Sequence, residues 1–135
     1  MLGWSGCCGH SAGLAAERLQ RVRRFIEDHL DGDLSLARLA AVAYLSPYHF
    51  ARRFKVSTGM TPHQYVVSRR VERAHALLLA GEDGIAHVAT RVGFSSQSHL
   101  TFHMRRVLGV SPGELLRRSR RSTERLLSGE RCWQQ

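Results

Sequence analysis

The sequence predicts an all-α protein in which two helix-turn-helix units are joined by a long helix. Three observations predict this fold. Apolar residues recur at helical spacing through most of the chain, Ser-Pro, Thr-Pro and glycine positions mark where helices start and stop, and the pattern of residues 36–62 recurs over residues 85–112. An internal repeat is strong evidence because it requires many coincidences in the same order.

The first helix is predicted from Leu14 to Leu30, with Leu19, Val22 and Ile26 on its apolar face. Gly32 is expected at the left-handed position that ends it. Four arginines lie largely off that apolar face and are interpreted as solvated, with phosphate contact as the lesser alternative: Arg18, Arg21, Arg23 and Arg24.

The next two helices form the first helix-turn-helix. Ser35 caps a short helix to about Ala43, whose predicted buried stripe is Leu36, Leu39, Ala40 and Ala43. After the turn 44–46, Ser46 and Pro47 start a second helix to Ser57, with Phe50 and Phe54 in the core. Two short helices joined by about three turn residues, the second with a polar outward stripe, are typical of this motif.

A long helix follows from Thr61-Pro62 to about Ala80, with Gly81 after its end. Its predicted core stripe is Val67, Val71, Ala74 and Leu78. Nineteen residues of helix span about 28 Å, a length that suits a connection between two units.

The repeat then predicts the second helix-turn-helix. Residues 85–89 match residues 36–40 at an offset of 49, and Phe94-Ser95 matches Leu45-Ser46. Beyond the turn the offset is 50, so Leu100, Met104 and Gly109 match Phe50, Phe54 and Gly59. Leu100, Met104 and Leu108 are expected to be buried, and a last helix is predicted from Ser111-Pro112 to about Arg121.

The predicted organisation is a tail (1–13), the first unit (14–59), the linker helix (60–81), the second unit (82–121) and a basic tail (122–135).

The charge points to a polyanionic partner. The formal net charge is +9, and of the 20 cationic residues all but Lys55 are arginine. Arginine pairs bidentately with phosphate or guanine, which favours nucleic acid first and an anionic membrane surface second. No run of about eighteen apolar residues occurs, and the first sixteen residues are a poor signal peptide, so no membrane partner is expected.

The three cysteines lie near the chain termini and indicate a reducing, cytoplasmic setting rather than a disulfide framework. Cys7, Cys8 and His10 do not match the usual spacing of zinc ligands, and no catalytic set or phosphate-binding loop is present. The sequence therefore predicts no metal, no cofactor and no enzymatic activity.

Residues 15–120 resemble the DNA-binding domain of AraC-type (AraC/XylS) transcription regulators. The resemblance is carried by LARLAAVAYLSPYHFARRFK, GMTPHQY, RRVERAHALL and, most specifically, IAHVATRVGFSSQSHL followed by GVSPGELL. It implies seven helices, in which each unit offers a recognition helix to one of two neighbouring major grooves. Because both recognition helices lie in one chain, we expect that chain to bind double-stranded DNA as a monomer.

The resemblance also implies which residues face DNA. In the first recognition helix they are Tyr48, Ala51, Arg52 and Lys55, with Arg52 as the expected guanine contact. In the second they are Gln97, Ser98, His99, Thr101 and Phe102, with Arg105 toward phosphate. Ser46 and Ser95 lie near helix N-termini, whose free N–H groups suit phosphate.

Three residues depart from the family pattern. Tyr44 stands where the family often has glycine in the first turn, which predicts a different turn shape. Ala51 stands where a long polar reader is common, and Phe102 where arginine is frequent. The last two favour sequence preference through apolar contact or DNA shape over hydrogen bonding.

Two functions remain open for the same domain. The chain is a DNA-binding transcription regulator in its own right, or it is the output part of a longer ligand-responsive regulator whose sensor domain lies elsewhere. The sequence shows neither the sign of regulation nor whether a subunit of RNA polymerase is contacted. A membrane-surface or RNA-binding helical protein is disfavoured by the Gln, Ser and Thr residues on the outward face of the second recognition helix.

Overall fold

The computed structural model describes residues 13–81 and 83–127, the last five of them by their backbone alone. Within these ranges every regular element is a helix, as predicted. In chain order the helices are α1 (Ala16–Asp28), α2 (Leu36–Val42), α3 (Pro47–Thr58), α4 (Pro62–Ala80), α5 (Ile85–Arg91), α6 (Gln97–Leu108) and α7 (Pro112–Leu127). The chain divides into two compact units between Arg70 and Val71, inside α4.

The first unit is built around two neighbouring aromatic residues of α3. Phe50 and Phe54 are fully buried, their ring centroids are 5.4 Å apart, and Tyr65 meets the Phe54 ring edge-on at 5.3 Å. The rest of this core is aliphatic and comes from the stripes predicted for α1 and α2 and from the start of α4: Val22, Ile26, Leu30, Leu39, Ala40, Ala43 and Val66. This packing holds α3 by its apolar face and leaves its other face outside.

The second unit repeats this plan with aliphatic residues in place of the aromatic pair. Leu100 and Met104 of α6 are fully buried where α3 has Phe50 and Phe54. Around them lie buried residues of α4, α5 and the following turn: Val71, Ala74, Leu78, Val88, Ala89, Val92 and Phe94. The predicted core residues of α3, α4 and α6 are therefore confirmed, with the exception of Leu108.

The turns of the two units are built alike. The N–H of Leu45 donates to the Ala40 carbonyl at 3.0 Å, and the N–H of Phe94 donates to the Ala89 carbonyl at 2.9 Å. Just before them, Tyr44 and Gly93 both have positive φ, 59° and 98°. The presence of Tyr44 predicted a different shape for the first turn. This prediction is wrong for the backbone at Tyr44, which adopts the left-handed conformation that glycine takes in the second turn.

Helices α3 and α6 have equivalent caps, and these locate the extra residue of the second unit. Ser46 accepts the N–H of His49, and Ser96 accepts the N–H of His99, so the offset is already 50 at the cap. Phe94 still matches Leu45 at 49, which leaves Ser95 as the inserted residue. Ser46 and Ser95 were paired by sequence, but the N-cap of α6 is Ser96. At the C-terminal ends, Gly59 and Gly109 have φ of 80° and 82°.

Helix α1 ends earlier than predicted and by another mechanism. It stops at Asp28 with His29 at its cap, and Gly32 does not have a positive φ. The exposed carbonyls after the helix are instead covered by Arg70 of α4, whose Nε donates to Leu30 at 2.8 Å and whose Nη2 donates to Gly32 at 3.0 Å. These contacts give Arg70 a structural role in the first unit.

Three further predictions differ from the structure. Leu36 and Leu108 were expected in the core but are 42% and 39% exposed. Each lies at the end of its helix, where the side chain extends beyond the edge of the packed face. Helix α7 continues to Leu127, six residues beyond the predicted end near Arg121.

Candidate nucleic-acid interface

Helix α3 presents a cationic and aromatic stripe on the face opposite its buried phenylalanines. Tyr48 is 65% exposed, and Arg52 and Lys55 are also exposed. The Arg52 guanidinium lies 5.7 Å from the centre of the Tyr48 ring and donates to the Tyr48 hydroxyl at 3.3 Å. Because the guanidinium contacts both the ring and the hydroxyl of Tyr48, the Arg52 side chain is restricted to fewer conformations.

Ala51 lies beside this stripe but is half-buried. It lines a largely apolar groove of about 330 Å³ together with seven other residues of the first unit: Leu34, Ser35, Leu36, Leu39, Thr61, Pro62 and His63. The methyl group of Ala51 can make only an apolar contact. This agrees with the expectation from the sequence, in which Ala51 replaces the long polar residue common in the family.

The N-terminus of α3 is open to solvent. Ser46 is exposed, accepts the backbone N–H of His49 at 3.3 Å, and its Oγ lies 2.7 Å from Nδ1 of the same histidine. Pro47 at the first helical position has no N–H to satisfy. The remaining first-turn N–H groups form a site that suits a phosphate oxygen.

Helix α6 lines an open groove of about 710 Å³ with six residues: Gln97, Ser98, Thr101, Phe102, Arg105 and Arg106. Five of these were predicted to face DNA, so the structure brings most of the predicted second set onto one surface. Phe102 is 54% exposed, which is unusual for a phenylalanine.

Arg106 is the member of this groove that the sequence analysis missed. Its guanidinium lies 5.7 Å from the centre of the Phe102 ring. The signal was present in the sequence, because Phe102 and Arg106 have the same i, i+4 spacing as Tyr48 and Arg52. Ser96 was also missed, although the offset of 50 that relates the recognition helices pairs it with Ser46.

Two hydroxyl groups at this surface already have partners. The Thr101 hydroxyl donates to the Gln97 carbonyl at 2.9 Å, so its proton is directed to the helix backbone. Ser95 does not cap the helix. Its Oγ lies 3.1 Å from Nδ1 of His99, and its N–H donates to the same nitrogen at 3.4 Å.

His99 belongs to an aromatic cluster at the edge of the groove. Its ring centroid is 5.2 Å from that of Phe94 and 4.7 Å from that of His103, which in turn stacks on Phe94 at 5.5 Å. Because Nδ1 of His99 accepts a backbone N–H, the neutral ring carries its proton on Nε2. His99 is thus held by its surroundings and keeps one donor for an outside partner.

The described residues contain neither a metal-binding cluster nor a helix that could span a membrane. Across residues 13–81 and 83–127, no three His, Cys, Asp or Glu side chains are grouped so that they could hold a metal ion. Over the same ranges no helix has the length and apolarity needed to cross a membrane. The alternative metal ligands Cys7, Cys8 and His10 lie outside the described residues.

A family model described as a helix-turn-helix domain matches residues 39–118. Among sequence relatives, the probable transcriptional regulator LumQ of Photobacterium leiognathi is 41% identical over 98 residues, which are 71% of this chain and 40% of that protein. The MmsAB operon regulatory protein of Pseudomonas aeruginosa is 33% identical over 102 residues, 76% of this chain and 33% of that protein. The chain therefore spans two fifths or less of the length of these relatives.

Solved structures show the same fold. The DNA-binding domain of the global transcriptional factor AdpA, in complex with a target DNA, has a TM-score of 0.74 at 36% identity and covers 78% of this chain and 95% of its own. The C-terminal domain of AraT, a response regulator from Geobacillus stearothermophilus, has a TM-score of 0.71 at 30% identity, with 77% and 86% covered.

Proposed function

The chain belongs to the AraC-type helix-turn-helix family of transcription regulators, and from this premise we propose that it binds double-stranded DNA sequence-specifically through α3 and α6. The family is one of DNA-binding domains and not of enzymes. The observation that carries the proposal is the repeated architecture: two serine-capped helices, each held by a buried face, each presenting a polar and cationic stripe outward. A net charge of +9 supports binding to phosphate.

In this proposal the residues divide into base readers and phosphate contacts. Arg52, supported by Tyr48, donates to O6 and N7 of a guanine, and Gln97 pairs with an adenine. Lys55 and Arg105 contact phosphates, as do the N-termini capped by Ser46 and Ser96. Ser98 and His99 lie beside Gln97 and add hydroxyl and Nε2–H donors to the same surface.

We further propose that one chain occupies one DNA site as a monomer, since both recognition helices belong to it. This implies two half-sites about one helical turn apart, about 34 Å. Such a regulator acts on chromosomal DNA in the cytoplasm. We include a contact with RNA polymerase in this proposal, because a regulator bound near a promoter lies close to that enzyme.

A second candidate concerns the rest of the polypeptide. The chain covers 40% of LumQ and 33% of the MmsAB operon regulatory protein. This supports the proposal that the chain is the DNA-binding part of a longer regulator, with ligand control located outside it. Both candidates predict the same DNA contacts and differ only in whether a small molecule alters binding.

Selection of bound duplexes from a random pool tests the proposal. We expect enrichment of two short half-sites about one helical turn apart, with affinity that falls steeply as salt rises through counterion release. The double variant Arg52→Ala/Gln97→Ala should lose base preference in both half-sites. Its matched control, Gln20→Ala/Arg24→Ala on α1, removes the same residue types from exposed positions and should retain it. Recovery of random sequence by the unaltered chain would contradict the proposal.

A further inference from the structure

We infer that Phe102 and Arg106 form one reading unit on α6 that recognises the 5-methyl group of thymine. The half-site contacted by α6 then requires a thymine, whereas the half-site contacted by α3 requires a guanine. This inference rests on the proposed function and specifies the chemistry of one of its two recognition surfaces.

The Phe102 ring is exposed and yet held in place. It is 54% exposed, the Arg106 guanidinium lies 5.7 Å from its centre, and the His103 ring meets it edge-on at 5.1 Å. A ring supported by two neighbours loses little conformational freedom when a partner covers it. Phe102 is therefore organised for contact before DNA arrives.

Phe102 and its neighbour Thr101 offer no free hydrogen-bond donor to a base. Phenylalanine has none, and the Thr101 hydroxyl donates its proton to the Gln97 carbonyl at 2.9 Å. Among the groups that base pairs present in the major groove, the thymine 5-methyl is the apolar one. An apolar ring in this position gains free energy by covering that methyl group and gains nothing comparable from guanine or cytosine.

The two recognition helices carry the same aromatic–arginine pair, displaced by one turn. In α3 the pair is Tyr48 and Arg52, and in α6 it is Phe102 and Arg106. At the offset of 50 that relates these helices, Phe102 stands where α3 has Arg52. The central position of the stripe thus donates hydrogen bonds in α3 and is apolar in α6, which makes the two half-sites chemically different.

Replacement of single thymines by deoxyuridine tests this inference, because deoxyuridine differs from thymidine only by the missing methyl group. The selected duplex is used, and the α6 half-site is identified as the positions whose preference is lost in Gln97→Ala. At one thymine of that half-site we expect deoxyuridine to weaken binding about fourfold, the ratio that corresponds to about 0.8 kcal/mol per buried CH₂ group. 5-Bromodeoxyuridine, whose bromine has nearly the size of the methyl, should restore binding.

Variants connect the effect to Phe102. Phe102→Ala should bind thymidine and deoxyuridine duplexes equally, whereas Phe102→Leu should keep a preference for thymidine. Phe102→Arg should change the preference at this base pair toward guanine. Val107→Ala serves as the control, since it trims an exposed apolar side chain of the same helix outside the groove and should leave the deoxyuridine effect in the α6 half-site unchanged. Far-ultraviolet circular dichroism verifies that each variant is helical, and the deoxyuridine scan of the unaltered chain needs no variant.

The outcomes separate the inference from the function on which it rests. Two enriched half-sites combined with no deoxyuridine effect in the α6 half-site would overturn the role of Phe102 and leave sequence-specific binding in place. A deoxyuridine effect that persists in Phe102→Ala would overturn it as well. Failure to enrich any sequence would overturn both.

Discussion

Tyr44 and Gly93 occupy the same position in the two helix-turn-helix units, and both have a left-handed backbone, with φ of 59° and 98°. A side chain in this conformation costs roughly 1–2 kcal/mol, which glycine avoids. The Tyr44 side chain is 73% exposed, and the Arg21 guanidinium lies 5.3 Å from its ring centre. The first unit thus forms its turn with a residue that disfavours it, and one of the supposed solvated arginines of α1 contacts that residue.

The strain at Tyr44 predicts an order of stability among variants. Tyr44→Gly should be more stable than Tyr44→Ala by about 0.5–1 kcal/mol, because both lose the ring but only alanine keeps the strained Cβ. The greater unfolded-state entropy of glycine offsets part of this advantage. Gly93→Ala should lower the free energy of unfolding by about 1 kcal/mol. Urea denaturation followed by circular dichroism measures all three. Equal stability of the two Tyr44 variants would show that the turn is unstrained.

The cap of α6 distinguishes two adjacent serines. Ser96→Ala should lower the free energy of unfolding by about 1 kcal/mol, because the His99 N–H loses its acceptor at 3.1 Å. Ser95→Ala should change it by less than about 0.5 kcal/mol, since Ser95 is exposed and not a cap. Thermal unfolding of the two variants gives the comparison. The reverse order would mean that Ser95, and not Ser96, caps the helix.

Arg52 and Arg105 should affect DNA binding in different ways. Arg52→Ala should relax the preference at one base pair, with a loss of roughly 1–3 kcal/mol for the preferred base. Arg105→Ala should weaken binding to all duplexes by a similar factor and reduce the salt dependence by about one phosphate contact. Fluorescence anisotropy with the selected duplex and single-base variants measures both. Parallel effects of the two substitutions on every duplex would contradict this division.

Arg70 should stabilise the first unit without contacting DNA. Burial lowers the pKa of Arg70, with Asp31 acting in the opposite direction, but arginine remains charged at neutral pH. Arg70→Met keeps much of the side-chain volume and removes the donors to Leu30 and Gly32, which should cost about 1–3 kcal/mol. Arg73→Met, at an exposed position of the same helix, is the control for urea denaturation. Equal effects of the two substitutions would show that the carbonyl contacts contribute nothing.

Asp83 should make the stability of the second unit sensitive to acid. Hydrogen bonds from Arg91 and then His87 lower the pKa of Asp83 below its ordinary value. A carboxyl whose pKa is lower in the folded state stabilises the fold above its unfolded pKa, about 3.9, and this contribution is lost as the pH falls through the folded value. Stability should therefore decline below about pH 4.

Asp83→Asn should reduce this acid dependence, and Asp28→Asn, which removes an exposed carboxylate from α1, is the matched control. Urea denaturation at a series of pH values between about 2.5 and 7 measures the slopes. The same acid slope in Asp83→Asn as in the unaltered chain would exclude Asp83 as its source.

Much of the fold was predictable because its determinants are local. Phe50 and Phe54, like Leu100 and Met104, lie one turn apart, and that spacing alone places both members of a pair on one face. Gly59 and Gly109 end their helices through a conformation that depends on the residue itself. The candidate interface was predictable to a similar degree, since residues on the face opposite a buried stripe must be exposed.

The sequence by itself therefore determined the helices, their buried faces, the repeat and the outward stripes of α3 and α6. Tertiary structure decided how the segment after α1 is held, because the carbonyls of Leu30 and Gly32 accept from Arg70, which lies 40 positions beyond Leu30. The hydrogen bonds of the folded turn then showed that Ser95 is the inserted residue and Ser96 the cap, as the offset of 50 between α3 and α6 also indicates. Helical periodicity records which face is buried, whereas a contact between distant elements leaves no periodic signal.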